Sequence, residues 1–332
     1  MTTDCVSTAP RRAARALLLA AVLSATGACA SSGTATSPPL ATVGAPATSE
    51  ATTAVPITTA APTTVAPTAA STTTTTTAPA PTSAPATVAA PAGLPVVDAA
   101  AYGVYDLNSN RWLGEHAVDE QRPIASLIKL LTALVVLQTG DLDRVVTVPE
   151  MQLADDESRI WLYPGQQLTR RELFDAMLVA SANDAAIALA IDNAGSVDAF
   201  VQRMNGAAAT AGLTATRAGS PVGLDSAGGV SSARDLATLT ALLWQSPEFR
   251  AAVSKPAIEM FGQSFPNTND LLATYPGANG VKTGSTTAAG RCLVVSAERD
   301  GRTIVAVALG SPTDEARFTA GAQLLDWGFA QP

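Results

Sequence analysis

The sequence predicts an α+β domain, and three observations predict it. Apolar and polar residues alternate with period two from Ala99 to Asp106, where a strand is expected. The same alternation returns from Cys292 to Glu298, and an apolar run follows from Thr303 to Leu309. Between these ends, residues 140–250 carry helix caps followed by runs with helical spacing. Strands at both ends of a helical middle predict a sheet domain with an inserted, mainly helical part.

In chain order, residues 1–29 read as an export signal. Arg11, Arg12 and Arg15 give a basic start, and Ala16 to Ala25 an apolar core too short to span a bilayer comfortably. Thr26-Gly27-Ala28-Cys29 resembles a bacterial lipobox, which makes Cys29 the expected lipidation site. Ordinary cleavage after a nearby small residue is the alternative. Residues 30–93 are mostly Ala, Thr, Pro and Ser, and Glu50 is the one charge between Arg15 and Asp98. Such a segment cannot bury enough apolar surface to offset its chain entropy, so a disordered tether is expected. The folded domain is expected over residues 94–332. An exported chain, lipid-anchored at the outer face of a bacterial cytoplasmic membrane or held within the cell wall, fits this layout.

The domain opens with a predicted hairpin, Ala99 to Asp106 and Arg111 to Glu115, turning at Leu107-Asn108-Ser109-Asn110. A helix is expected from Ser126 to Thr139, with Pro123 before it and Gly140 after. It is apolar all round, as a buried helix is. Thr169-Arg170-Arg171-Glu172 has capping-box spacing and opens a helix to Ala180. Further helices are expected over Ala185–Asp192, from a Ser196 cap to Ala211, and over Ala233–Gln245 after Ser231 or Ser232. A strand is expected from Gly280 through Thr283, the turn Asp300-Gly301 joins the last two strands, and Asp314 to Phe329 closes the chain as a helix.

Composition narrows the function. The formal net charge is -8, which argues against a nucleic-acid partner. His116 is the one histidine and reads as a surface residue, so a multi-histidine metal site is excluded and no metal or other cofactor is expected. Cys5, Cys29 and Cys292 have no metal-ligand spacing. Cys292, on a predicted central strand, reads as a small buried residue.

Ser126-Leu127-Ile128-Lys129 carries the chemistry. Residues three apart share a helix face, which sets Lys129 beside Ser126. A serine needs a base to become a nucleophile, and a lysine is one when burial or a second cation lowers its pKa. The chain has 20 Lys+Arg, of which only Lys129, Lys255 and Lys282 are lysines. Arginine does not give up its proton, so one of few possible amine bases stands a turn after a serine.

Two further motifs follow in order, Ser181-Ala182-Asn183 and Lys282-Thr283-Gly284. The three together resemble the S-x-x-K, S-x-N and K-T-G elements of the penicillin-recognising serine enzymes. The likeness is to the D-alanyl-D-alanine carboxypeptidases, the low-molecular-mass penicillin-binding proteins of peptidase family S11. It extends to Pro123-Ile124-Ala125-Ser126, Pro164-Gly165-Gln166, Ser232-Ala233-Arg234-Asp235 and Gly280-Val281. Pro221-Val222-Gly223-Leu224-Asp225 departs from the family's usual Asn-Pro-His-Gly-Leu form.

The resemblance implies a β-lactamase/transpeptidase-like fold, an antiparallel sheet with flanking helices. It implies Ser126 as acylated nucleophile, Lys129 as base, and Ser181 and Asn183 facing them. It implies Lys282, Thr283, Gly284 and Ser285 as the substrate-binding edge, with Lys282 lowering the Lys129 pKa and the N–H groups of Ser126 and Ser285 as an oxyanion hole. The implied partners are a peptidoglycan stem peptide ending in D-Ala-D-Ala and β-lactams as covalent inhibitors. A β-lactamase of the same fold and a wall-binding sensor are the alternatives, and Asp225 stays open as a deacylating base.

Overall fold

A computed structural model describes residues 93–332; the expected export signal, Cys29 and the expected tether up to residue 92 lie outside the described residues. The elements run β1 (Ala101–Asp106), β2 (Arg111–His116), β3 (Arg122–Pro123), a 3-10 turn (Ala125–Ile128) and α1 (Lys129–Thr139). Then come β4 (Val145–Thr147), β5 (Gln167–Thr169), α2 (Arg170–Val179), α3 (Asn183–Ala194), α4 (Val197–Thr210), β6 (Val230–Ser231), α5 (Ala233–Leu243) and α6 (Pro247–Val253). The chain ends with β7 (Ala257–Met260), β8 (Gln263–Pro266), α7 (Leu271–Thr274), β9 (Ala278–Thr286), β10 (Gly290–Arg299), β11 (Arg302–Ser311) and α8 (Asp314–Ala330).

Five strands form one antiparallel sheet in the order β2-β1-β11-β10-β9. Its alternation sorts side chains between two cores, as a period of two requires. Leu293, Val295, Ile304 and Ala306 face Leu324 and Leu325 of α8. Cys292, Val294, Val305 and Val307 join the other core, with Leu127, Leu130 and Leu131 around α1. The expected buried central helix and buried Cys292 are both found. The β10–β11 register closes Arg299 on Arg302, leaving Asp300 (φ 52°) and Gly301 (φ 76°) as a two-residue loop. Two positive φ angles suit the twist of a tight hairpin. His116 ends β2 exposed, its ring stacked on Tyr102 at 4.5 Å.

The helix starts follow their caps. Thr169 and Glu172 make both bonds of a capping box, and Ser196 and Ser232 accept from Ala199 and Asp235 N–H groups. One start differs from expectation. The segment at Ser126 is a 3-10 turn, and the α-helix begins only at Lys129. The short ribbons β3–β6, β4–β5 and β7–β8, with α6 and α7, were not expected, since two to four paired residues carry too little periodicity to read. Among the described residues no helix is long and apolar enough to cross a membrane.

Candidate active site

Ser126 sits where β9, α1 and the start of α3 converge. Ala125, just before it, has φ 49°, a left-handed conformation that a residue with a Cβ rarely adopts. In a 3-10 turn, side chains three apart eclipse one another. Lys129 Nζ accordingly lies 2.8 Å from Ser126 Oγ.

Lys129 is fully buried. Its Nζ also donates to Asn183 Oδ1 at 2.7 Å and to the Val222 carbonyl at 3.0 Å. Both are acceptors, so they take two N–H bonds and leave the third tetrahedral direction pointing at Ser126. Burial lowers the Lys129 pKa to about 7, against the opposing pull of the Glu157 and Asp184 carboxylates. Near neutrality, therefore, the third direction is a lone pair in about half the molecules. The geometry allows Lys129 to receive the Ser126 proton while its other two bonds hold it still.

Ser181 and Asn183 come from the turn joining α2 to α3. Ser181 has φ 59° and is buried, as is Asn183. The turn is tied to the preceding loop. Asn183 N–H donates to the Ser158 carbonyl at 2.8 Å, and the Asp184 carboxylate accepts from the N–H groups of Ile160 and Leu162, each at 3.1 Å. Burial raises the Asp184 pKa, and these N–H groups act against the rise. Within this loop Glu157 Oε2 accepts from Asn183 Nδ2 at 2.6 Å. Glu157 escapes a reading of the sequence, because it lies before the S-x-N motif in a loop without periodicity.

Lys282, Thr283, Gly284 and Ser285 lie on β9, the outer strand of the sheet. Lys282 is buried, and its Nζ donates to the Thr283 carbonyl at 2.9 Å. Burial first, then the Lys129 and Arg317 cations, push Lys282 well below the ordinary lysine range. Lys282 was expected to depress Lys129. Burial is the main cause of the Lys129 shift, and the two amine cations repel each other. Thr283 Oγ1 donates to Thr268 Oγ1 at 2.7 Å, a partner with no sequence signature. A Cβ on Gly284 would stand 2.8 Å from Ile124 O and 3.0 Å from Ser126 N. Only a glycine lets the strand lie this close to the Ser126 amide. Ser285 follows, exposed, paired in register with Arg291.

The 221–225 segment closes the other side through its backbone. Thr132 Oγ1 donates to the Pro221 carbonyl at 2.8 Å, and the Val222 carbonyl is the Lys129 acceptor. Gly223 has φ 89°, and a Cβ there would lie 2.1 Å from Ala125 O. The sequence marks this segment by its departure in side chains and by Asp225; what it supplies to Lys129 is a backbone carbonyl. Asp225 is exposed, with its carboxylate on the Ala288 N–H at 2.9 Å. That contact clasps the loop to the β9–β10 turn.

Comparison with known proteins gives a consistent picture. The family model described as D-alanyl-D-alanine carboxypeptidase matches residues 86–313. D-alanyl-D-alanine carboxypeptidase DacC of Escherichia coli (strain K12) is 36% identical over 248 residues, which is 71% of this chain and 62% of that protein. The chain thus spans rather less than two thirds of that relative. The crystal structure of the D-alanyl-D-alanine carboxypeptidase from Mycobacterium tuberculosis H37Rv matches with a TM-score of 0.68 and 34% identity, covering 74% of this chain and 97% of that one. The ampicillin-bound penicillin-binding protein D2 of Listeria monocytogenes matches with a TM-score of 0.64 and 33% identity, covering 70% and 98%.

Proposed function

The chain belongs to the D-alanyl-D-alanine carboxypeptidase family, and from that premise we propose that it is a serine hydrolase that removes the last D-alanine from peptidoglycan stem peptides. The observation that carries the proposal is the fully buried Lys129 amine, 2.8 Å from Ser126 Oγ, with its other N–H bonds taken by fixed acceptors.

The reaction follows from that arrangement. Lys129 Nζ takes the hydroxyl proton as Ser126 Oγ bonds to the penultimate D-alanine carbonyl carbon. The oxygen charge that develops is held by the N–H groups of Ser126 and Ser285, which the close approach of Gly284 supports. The proton then passes to the departing amide nitrogen, with Ser181 as the relay. The C–N bond breaks, free D-alanine leaves and an ester remains on Ser126. A water gives its proton to Lys129 and attacks the ester, and the proton returns to Ser126. Lys282 and Thr283 hold the terminal carboxylate, whose arrival favours the protonated form of Lys282. Asn183 keeps Lys129 in place.

A β-lactam presents an amide and a carboxylate with similar spacing and acylates the same serine. The Asp225 carboxylate is exposed and engaged by the Ala288 N–H at the β9–β10 turn, which favours a long-lived adduct over a β-lactamase. In the intact protein, residues 1–29 with Cys29 direct export and lipid anchoring, and residues 30–93 tether the 94–332 domain away from the membrane.

The test is incubation with a peptide ending in D-Ala-D-Ala, and separately with penicillin. Free D-alanine and a stoichiometric adduct on the peptide containing Ser126 are expected. Rapid repeated penicillin hydrolysis with no D-alanine release would make the protein a β-lactamase. An adduct on Ser181 would overturn the choice of nucleophile.

A further inference from the structure

We propose that Glu157 is a positioning residue for acylation, holding the Asn183 carboxamide in the one orientation that keeps the Lys129 lone pair free for Ser126. The inference rests on the reading of Ser126 and Lys129 as nucleophile and base.

A carboxamide has one accepting end and one donating end. Asn183 presents Oδ1 to Lys129 Nζ at 2.7 Å and Nδ2 to Glu157 Oε2 at 2.6 Å. With Lys129 protonated, three N–H donors alone would select this orientation. Catalysis needs the neutral amine, and the neutral amine is ambivalent. Its lone pair would accept an N–H from a flipped Asn183 as readily as it receives the Ser126 proton. Such a flip would consume the base. Glu157 opposes it, because a carboxylate only accepts, and the flip would bring Asn183 Oδ1 against it.

The loop is built to hold that carboxylate. Glu157 N–H donates to the Ala154 carbonyl at 3.2 Å, and Glu157 Oε1 accepts from Ala154 N–H at 3.0 Å. Just after it, the Ser158 carbonyl is fixed by Asn183 N–H and the Ile160 and Leu162 amides by Asp184. The residue is therefore pinned on both sides, with one oxygen used internally and the other aimed at Asn183.

The charges around Lys129 set the sign of a measurable effect. Glu157 on the loop and Asp184 on α3 favour its protonated form. Lys282 on β9 also faces this group, with the Arg317 cation of α8 behind it. Removing the Glu157 charge therefore lowers the pH at which Lys129 titrates.

The chain has three lysines, so lysine labelled at its ε carbon gives three NMR signals, assignable with Lys255→Arg and Lys282→Arg. In Glu157→Gln the Lys129 signal is expected to titrate below the wild-type midpoint of about 7. The plateau rate of acylation by penicillin at pH 8 is expected to fall about tenfold, because a glutamine amide can turn to meet either end of Asn183. Glu157→Asp, which keeps the charge, is expected to leave the titration near the wild-type value. Thermal unfolding of each variant separates these effects from loss of fold. A Glu157→Gln protein whose Lys129 titrates as in wild type, with acylation within about twofold of wild type, would overturn the inference. A wild-type protein that penicillin does not acylate would overturn the carboxypeptidase reading instead, and the NMR titration would still decide whether Glu157 acts on Lys129.

Discussion

Acylation of Ser126 is expected to slow tenfold for each pH unit below about 7, and Lys129→Arg is expected to abolish it at every pH. The magnitude comes from burial. With a Lys129 pKa of about 7, about half the amine is neutral at pH 7, about one tenth at pH 6 and about one hundredth at pH 5. An ordinary lysine near 10.4 would be neutral at pH 7 in roughly one molecule in a few thousand. Burial in this site thus raises the concentration of base about a thousandfold, at a cost to the folded protein of about 5 kcal/mol while the amine is charged. The assay is the second-order rate of labelling by a fluorescent penicillin between pH 5 and 9. Arginine keeps the charge but has no proton to give up in this range. A rate independent of pH down to pH 5, or Lys129→Arg labelled at the wild-type rate, would refute Lys129 as the base.

The remaining predictions use other observations. Because the Lys129 pKa is depressed by folding, its destabilising effect is fully present below pH 7 and fades toward the ordinary lysine range. Wild-type stability should therefore rise from pH 7 to pH 10, and Lys129→Met should show a smaller rise in chemical unfolding, since the buried Lys282 amine contributes with the same sign. Gly223→Ala should cost about 2 kcal/mol or more and nearly abolish labelling, because φ 89° and a Cβ 2.1 Å from Ala125 O force the 221–225 segment off Lys129. Asp225→Asn should leave the lifetime of the penicilloyl adduct, followed by mass spectrometry, unchanged. A chain shortened to begin at Gly93 should unfold cooperatively and release D-alanine at the wild-type rate, and Cys29→Ser should move the full chain out of the membrane fraction.

Much of the fold was legible because it is written in side-chain chemistry local to each element. The Thr169–Glu172 capping box, the Ser196 cap and the Asp300-Gly301 hairpin are each set by a few adjacent residues. The spacing of Ser126 and Lys129 likewise foretold their contact, although the turn type did not follow. A strained Ala125 with φ 49° has no signature, since alanine favours an ordinary helix start. Two contributors to the site escaped for a different reason. The Val222 carbonyl is a backbone atom that any residue could supply, and Glu157 reaches Asn183 across 26 positions through a loop without periodicity. Thr268, the partner of Thr283, lies in a stretch with neither helical nor alternating pattern.

These silent contacts also tie reactivity to folding. Ser126 and Lys129 are neighbours in sequence, so even an unfolded chain holds them near each other. What makes the pair reactive is remote: Asn183 lies 54 positions from Lys129, and Val222 lies 93. Apolar walls from the 3-10 turn, α1 and α3 then exclude the water that would hold the amine charged. Without them Lys129 returns to the ordinary lysine range, and the supply of base at pH 7 falls about a thousandfold. A chain waiting to fold would therefore be nearly inert toward amides and β-lactams alike. Loss of activity on heating should accordingly track the loss of packing around Lys129, ahead of any separation of Ser126 from Lys129 along the chain.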